Sequence, residues 1–259
     1  MRKLFPVIIL LTALFACNDS KTDSSTTSIE SQLKENIAQH PDSLLLKEQL
    51  IQYYRDSANY DQAIAITTDY LKNDSINARL WKIMATLQVE NEDSAQAINA
   101  LEHSFKIEPD PEVLTDLGTL YAETKNAKAI EIANLLLWQR KVKANKSSYF
   151  VRGLYYNYTG EKERAISNMD SAIAIDYTYM IAYREKAIAL YDLGKYEAAI
   201  SVLDKALTLQ NNFDEGYYWR GMCLEKLGKK QEAIASYKSA LLYSPDYLEA
   251  QDALQRIEK

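Results

Sequence analysis

Two histidines and two cysteines are the residues of this chain best suited to hold a metal or act as nucleophiles, and their spacing offers neither chemistry a site. His40 stands beside Pro41 in a predicted turn and His103 late in a predicted helix, whereas a helical zinc site needs two histidines four apart. Cys223 reads as a small buried hydrophobe, because the other cysteine, Cys17, lies far along the chain at the end of an apolar leader. Asp and Glu are plentiful but alternate with Lys and Arg at helical surface spacing, the pattern of a solvated face. With no glycine-rich phosphate loop and no serine-centred elbow, the residues point to a protein that is not an enzyme and needs neither cofactor nor metal.

What the spacing does support is packing. An Ala-Ile pair recurs at Ala63-Ile64, Ala97-Ile98, Ala129-Ile130, Ala165-Ile166, Ala199-Ile200 and Ala233-Ile234, at intervals of 34, 32, 36, 34 and 34 residues. A period of that length marks an array of helical hairpins, in which no unit buries its own apolar face and neighbours must stack to make a core. Aligned on the pairs, the repeats run 44–77, 78–111, 112–145, 146–179, 180–213 and 214–247, with a capping helix over 248–259. Upstream, Ile29, Leu33 and Ile37 recur at helical spacing as a half-repeat. At the other end Leu248, Ala250, Leu254 and Ile257 give the cap its apolar face.

Gly160, Gly194 and Gly228 fall where the first helix of a repeat must stop, since glycine accepts the left-handed conformation of a helix end. In the first three repeats Asn59, Asn91 and Asn126 lie in the same turns and are expected to take that role. Ala85, Gly118, Gly153, Ala187 and Gly221 are expected to face the alanine of each Ala-Ile pair, because helices approach closely only where side chains are small. Ile51 and Tyr70 break this rule in the first repeat. The third is irregular, and its second helix is expected to run on through Trp138 and Gln139 into Arg140, Lys141, Lys143 and Lys146, where cations complement a helix C-terminus.

The fourth repeat carries Tyr149, Arg152-Gly153, Tyr156, Ala165, Met169 and Ala172; the sixth carries Tyr217, Arg220-Gly221, Leu224, Ala233, Tyr237, Ala240 and Pro245. This order of aromatic, small residue, large residue, Ala, large residue and closing Pro resembles the tetratricopeptide repeat, from Ile29 to the C-terminus. The resemblance implies an all-α, right-handed superhelical solenoid of about six helix hairpins, with an N-terminal half-repeat and a C-terminal capping helix. In that family the first helix of each repeat lines a concave groove that takes a partner peptide or helix. Carried over position by position, the groove of the fourth to sixth repeats holds Phe150, Leu154, Asn157, Tyr158, Ile181, Arg184, Ile188, Tyr191, Tyr218, Met222 and Glu225. The named partner-binding candidates among them are Phe150, Leu154, Asn157, Tyr158, Arg184, Ile188, Tyr191, Tyr218 and Met222, with Arg184 as a contact for a carboxylate or backbone. In the N-terminal repeats the same face is mostly charged, with Glu48, Arg55, Asp56, Arg79, Lys82, Thr86 and Glu90. The family's carboxylate clamp is not reproduced, for Ile188 and Met222 stand where it needs Asn.

Arg2 and Lys3 precede the apolar stretch from Leu4 to Phe15, which is shorter than the roughly 20 residues of a spanning helix. Leu14-Phe15-Ala16-Cys17 resembles the lipobox of bacterial lipoproteins. That resemblance implies a signal peptide over 1–16, lipid on Cys17, a polar tether over 17–28 and a repeat domain over 29–259. Asn18 after the cysteine favours the outer membrane, facing periplasm or cell surface, over inner-membrane retention. Loss of Arg2 and Lys3 from the 30 basic side chains leaves 28 against 36 acidic ones, a net charge of −8. That sign disfavours nucleic acid as a partner. Asp-Ser followed by an apolar residue, as at Asp42-Ser43-Leu44 and Asp93-Ser94-Ala95, resembles the O-glycosylation acceptor of exported Bacteroidota proteins; helix capping is the simpler use of such pairs. The expected function is a membrane-anchored scaffold binding a protein or peptide partner in the cell envelope. The alternative is an auxiliary protein that binds glycan or peptidoglycan on Tyr and Trp platforms.

Overall fold

The computed structural model describes residues 28–139 and 145–258, so Cys17, the leader and the run from Arg140 to Lys143 lie outside the described residues. Among the described residues fourteen helices follow one another and there is no strand. They are α1 (Ile29–Gln39), α2 (Leu44–Asp56), α3 (Tyr60–Asn73), α4 (Ala78–Glu90), α5 (Ser94–Ile107), α6 (Pro111–Glu123) and α7 (Lys128–Gln139). After Asn145 come α8 (Lys146–Tyr158), α9 (Lys162–Ile175), α10 (Met180–Asp192), α11 (Tyr196–Leu209), α12 (Asp214–Lys226), α13 (Lys230–Tyr243) and α14 (Leu248–Glu258).

The described residues divide into two compact units, one up to Leu50 and one from Ile51 onward. In the first, the Ser28 hydroxyl accepts the Ser31 N–H and caps α1, whose Leu33 and Ile37 are half-buried while Ile29 is exposed. In the second, α4 pairs with α5, α6 with α7, α8 with α9, α10 with α11 and α12 with α13. Each first helix also packs on the second helix of the hairpin before it, and α6, α8, α10 and α12 touch in succession, so the first helices share one face.

The alanines at 63, 97, 129, 165, 199 and 233 are all fully buried, which places them at the closest approach of the two helices. Two of the glycines opposite them also make room for a larger side chain. A methyl group on Gly153 would meet the Met169 side chain at 2.8 Å, and one on Gly221 would meet the Tyr237 ring at 2.5 Å. These glycines therefore seat a large side chain one turn beyond the alanine, and Met169 and Tyr237 are accordingly fully buried. Ile51 is buried and Tyr70 half-buried, so the first hairpin takes its large residues inside.

Every first helix from α2 to α12 ends in one hydrogen-bond pattern. A backbone N–H reaches back five residues, from Asn59 to Tyr54, Asp93 to Gln88, Asn126 to Tyr121, Glu161 to Tyr156, Lys195 to Leu190 and Lys229 to Leu224. This closure needs a left-handed residue just before the donor. Gly160, Gly194 and Gly228 supply it at φ 88°, 71° and 73°, but in the earlier turns it is Ala58, Glu92 and Lys125 at φ 52°, 60° and 57°. The expectation for Asn59, Asn91 and Asn126 is thus corrected. The asparagines do other work, Asn59 accepting the Gln62 N–H as the cap of α3 and Asn126 accepting the Lys128 N–H.

The described part of α7 runs to Gln139, and Lys146 opens α8 behind the Asn145 cap. A lysine at a helix N-terminus opposes the dipole. Here it bonds Asp176 at 2.5 Å and lies 4.8 Å over the Tyr179 ring, both in the loop that leaves α9 of the same repeat. Of the expected apolar face of α14, Ala250 is buried and Leu254 and Ile257 pack half-buried on the cluster of Leu224, Tyr237 and Ala253, while Leu248 is exposed.

The strained turns make a test. Glu92→Gly should raise stability by about 0.5–1 kcal/mol and Gly228→Ala should lower it by about 1 kcal/mol, since the left-handed conformation disfavours a side chain. Urea denaturation followed by circular dichroism measures both, and equal shifts of the same sign would contradict this account.

Candidate partner-binding face

Among the partner-binding candidates, Phe150, Leu154 and Asn157 lie beneath the first-helix face and are not part of its surface, with exposures of 4%, 3% and 6%. Phe150 packs edge-on against Tyr179 with ring centres 5.4 Å apart. Tyr158 is 43% exposed, and its phenol has no hydrogen-bond partner among the described residues. Ile188, Tyr191, Tyr218 and Met222 are half-buried.

Arg184 is not free to bind a partner. Its guanidinium meets Glu215 at 2.5 Å and Glu185 at 3.0 Å. Glu185, itself buried, accepts from the Asn157 amide at 3.2 Å, and the Asn157 carbonyl accepts from Lys162, which also bonds Asp192. The chain of contacts ties α8, α9, α10 and α12 together. Burial pushes the Glu185 carboxyl above the usual range despite Arg184 and Asn157. The guanidinium stays above its ordinary value because Glu185 and Glu215 outweigh its own desolvation.

The tyrosines divide by neighbourhood. Tyr191 meets Tyr196 and Trp219 edge-on at 5.3 and 5.7 Å and joins the cluster of Ala187, Leu190 and Leu203. Tyr218 lies 5.1 Å from Tyr247 and 5.5 Å from Trp219 and packs on Leu224, Tyr237 and Ala253. Both therefore hold hairpins together, and Tyr158 alone of the three has a largely open ring. Cys223 is fully buried, and desolvation pushes its thiol up to about 12, so it is inert.

On the N-terminal side the charges mostly cancel one another. The Arg55 Nε bonds both Glu90 oxygens at 2.9 and 2.7 Å, and Lys82 lies 3.3 Å from Asp110 and 3.5 Å from Glu112. Between α4 and α6 a recess of about 290 Å³ is lined by Lys82, Ala85, Thr86, Val89, Leu101, Asp116, Thr119, Leu120 and Glu123. Asp116 and Glu123 reach solvent, yet desolvation, reinforced by Glu112 and by Glu185 respectively, pushes both carboxyls up. No hydrogen bond or ion pair among the described residues engages either side chain. Sequence reasoning passed over both. The available signal was that neither has a Lys or Arg three or four residues away on its helix, where surface carboxylates usually find one.

Among the described residues no three His, Cys, Asp or Glu side chains are placed to hold a metal ion, and no helix is long and apolar enough to cross a membrane. A stack of helix hairpins with one shared face of first helices defines a repeat protein built for contact. The tetratricopeptide repeat family model matches residues 150–212 and 184–253, so the stretch from α8 to α14 carries repeats of that family. Its fold is similar to that of a tetratricopeptide repeat protein from Parabacteroides merdae, at 19% identity and TM-score 0.73, over 89% of this chain and 91% of that one. A thermophilic repeat protein of Thermus thermophilus aligns at 19% identity and TM-score 0.60, over 70% of this chain and 98% of that one. PilW, a type IV pilus biogenesis factor, aligns at 20% identity and TM-score 0.59, over 81% and 97%. No curated protein matches the chain.

Truncations should separate packing from surface. Arg184→Ala leaves Glu185 buried without its cation and should cost about 3 kcal/mol, with Tyr218→Ala costing about 2 kcal/mol. Tyr158→Ala should stay within about 0.5 kcal/mol of the unaltered protein. Chemical denaturation of the three variants checks the ranking, and a large loss at Tyr158 would make it a core residue.

Proposed function

We propose that this protein is a membrane-anchored scaffold of the bacterial cell envelope, held by lipid on Cys17 and binding a protein partner on its first-helix face. The observation that carries the reading is the run of first helices α4 to α12 behind one surface, on which no hydrogen bond or ion pair among the described residues engages the side chains of Tyr158, Asp116 and Glu123. The Leu14-Phe15-Ala16-Cys17 tetrad supports the anchor, and Asn18 supports the outer membrane.

A glycan-binding reading has one observation in its favour. A second cleft, of about 360 Å³, is lined by Trp81, Gln88, Gln96, Asn99 and Thr68, residue types that suit sugar hydroxyls. The Trp81 ring, however, is stacked on His103 at 4.5 Å, and its indole N–H is spent on the Ser75 carbonyl. A sugar platform needs an open aromatic face, so the scaffold is the better fit.

Two measurements test the proposal. Cys17→Ser should abolish labelling by a fatty-acid analogue and release the chain from the membrane fraction; continued labelling would sink the anchor. Affinity purification from detergent-solubilised membranes should recover a stoichiometric protein partner. Retention on peptidoglycan resin with no protein recovered would favour the glycan reading instead.

A further inference from the structure

We propose that the recess between α4 and α6, continued to Tyr158 on α8, is the docking site for a cationic segment of the partner, one that presents two Lys or Arg side chains to Asp116 and Glu123. The inference rests on the scaffold reading and names the chemistry of its ligand.

The walls of the recess match the two halves of a long cationic side chain. Ala85, Val89, Leu101 and Leu120 offer aliphatic surface, and Asp116 and Glu123 stand on the α6 side. Lys and Arg lay their methylene stems along apolar surface and keep the charged head at a polar edge. The local balance of charge is negative. Lys82, the one cation lining this recess, is ion-paired with Asp110 and Glu112 and acts on Asp116 only at longer range, so Asp116 and Glu123 are left without an ion pair among the described residues. Further along the face Arg184 is likewise consumed by Glu185 and Glu215, and Arg55 by Glu90. A phosphate-bearing or acidic partner would meet repulsion here.

Spacing decides between one cation and two. Asp116 and Glu123 are two helical turns apart, which is about 10 Å along α6. They cannot converge on a single ion, and an extended segment spans that distance in about three residues. Tyr158, exposed on α8, which packs against α6, adds an aromatic surface to the same first-helix face. The protein already uses this chemistry internally, with the Lys146 ammonium 4.8 Å over Tyr179 and the Arg164 guanidinium 3.8 Å over Tyr156.

The probe is a fluorescein-labelled peptide, Lys-Ala-Ala-Lys-Ala-Ala-Lys, titrated with the purified full chain and read by anisotropy, with Glu replacing Lys in the control. The lysine peptide should bind and the glutamate peptide should not. Asp116→Asn with Glu123→Gln, which keeps shape and removes charge, should weaken binding about tenfold and flatten its salt dependence. Glu163→Gln with Glu232→Gln, the same change of net charge on second helices α9 and α13, should leave affinity unaltered. Equal binding by the two double variants, or no binding of the lysine peptide to the unaltered protein, overturns the site. A membrane partner recovered equally by the Asp116→Asn, Glu123→Gln variant also overturns it while leaving the scaffold reading intact. If membranes yield no protein partner, the scaffold reading fails, and the peptide titration still upholds or overturns the recess.

Discussion

Everything in this fold depends on how closely two helices can approach at one alanine per hairpin. At positions 63, 97, 129, 165, 199 and 233 that methyl group is wholly buried, and any larger side chain would hold the helices apart by its own width. Close approach at this point is what lets Met169 and Tyr237 enter the space opened by Gly153 and Gly221. A fully buried tyrosine contributes far more apolar area than the alanine beside it. The small residue thus sets the geometry, and the large one supplies the stabilisation. Since neither face of a hairpin is covered by the hairpin itself, the same geometry must repeat for a core to exist.

Charge plays a second, subordinate part in holding neighbours in register. Lys146 to Asp176, Lys162 to Asp192, Arg184 to Glu215 and Arg256 to Glu225 each join residues about one repeat apart. Lys186 to Asp170 and Arg220 to Asp204 repeat a contact from a first helix to the second helix before it. Most of these groups are partly exposed, and each such pair is worth only about 0.2–1 kcal/mol. Their larger consequence is for the surface. They engage Lys146 and Arg184 on the first helices, while Asp116 and Glu123 of α6 have no hydrogen bond or ion pair among the described residues, in a chain already acidic overall. That asymmetry bears directly on which partners the scaffold can accept.

The loops show a gradation along the chain that has a common physical cause. All six first helices from α2 to α12 close through a left-handed residue, which glycine supplies only in the last three turns. In the first three a residue with a side chain is held there by the hydrogen bond it completes. There the second helix begins with an Asx side chain, with Asn59 and Asp93 capping α3 and α5 and Asn126 bonding the Lys128 N–H in the turn before α7. The glycine turns have no side-chain cap at Glu161, Lys195 or Lys229. Each turn therefore lacks one of the two favourable features and keeps the other.

The period of the Ala-Ile pairs, read from the sequence alone, was enough to determine an all-helical array and the helix pairing, because burial of one alanine per hairpin is a local rule that recurs at fixed spacing. The left-handed site in the early turns was misplaced by one residue, since Asn59, Asn91 and Asn126 are good candidates by type and only the backbone register selects Ala58, Glu92 and Lys125 instead. The binding face was less legible still. Position within a repeat identifies the helix on which Phe150, Leu154, Asn157 and Arg184 lie, but not that Tyr179, in the loop after α9, packs on Phe150 or that Glu185 and Glu215 close on Arg184. Whether a side chain is a free contact or an internal one depends on residues a whole repeat away. Stacking decides that, so the sequence shows that Asp116 and Glu123 lack a cation on their own helix but not that no neighbouring helix supplies an ion pair.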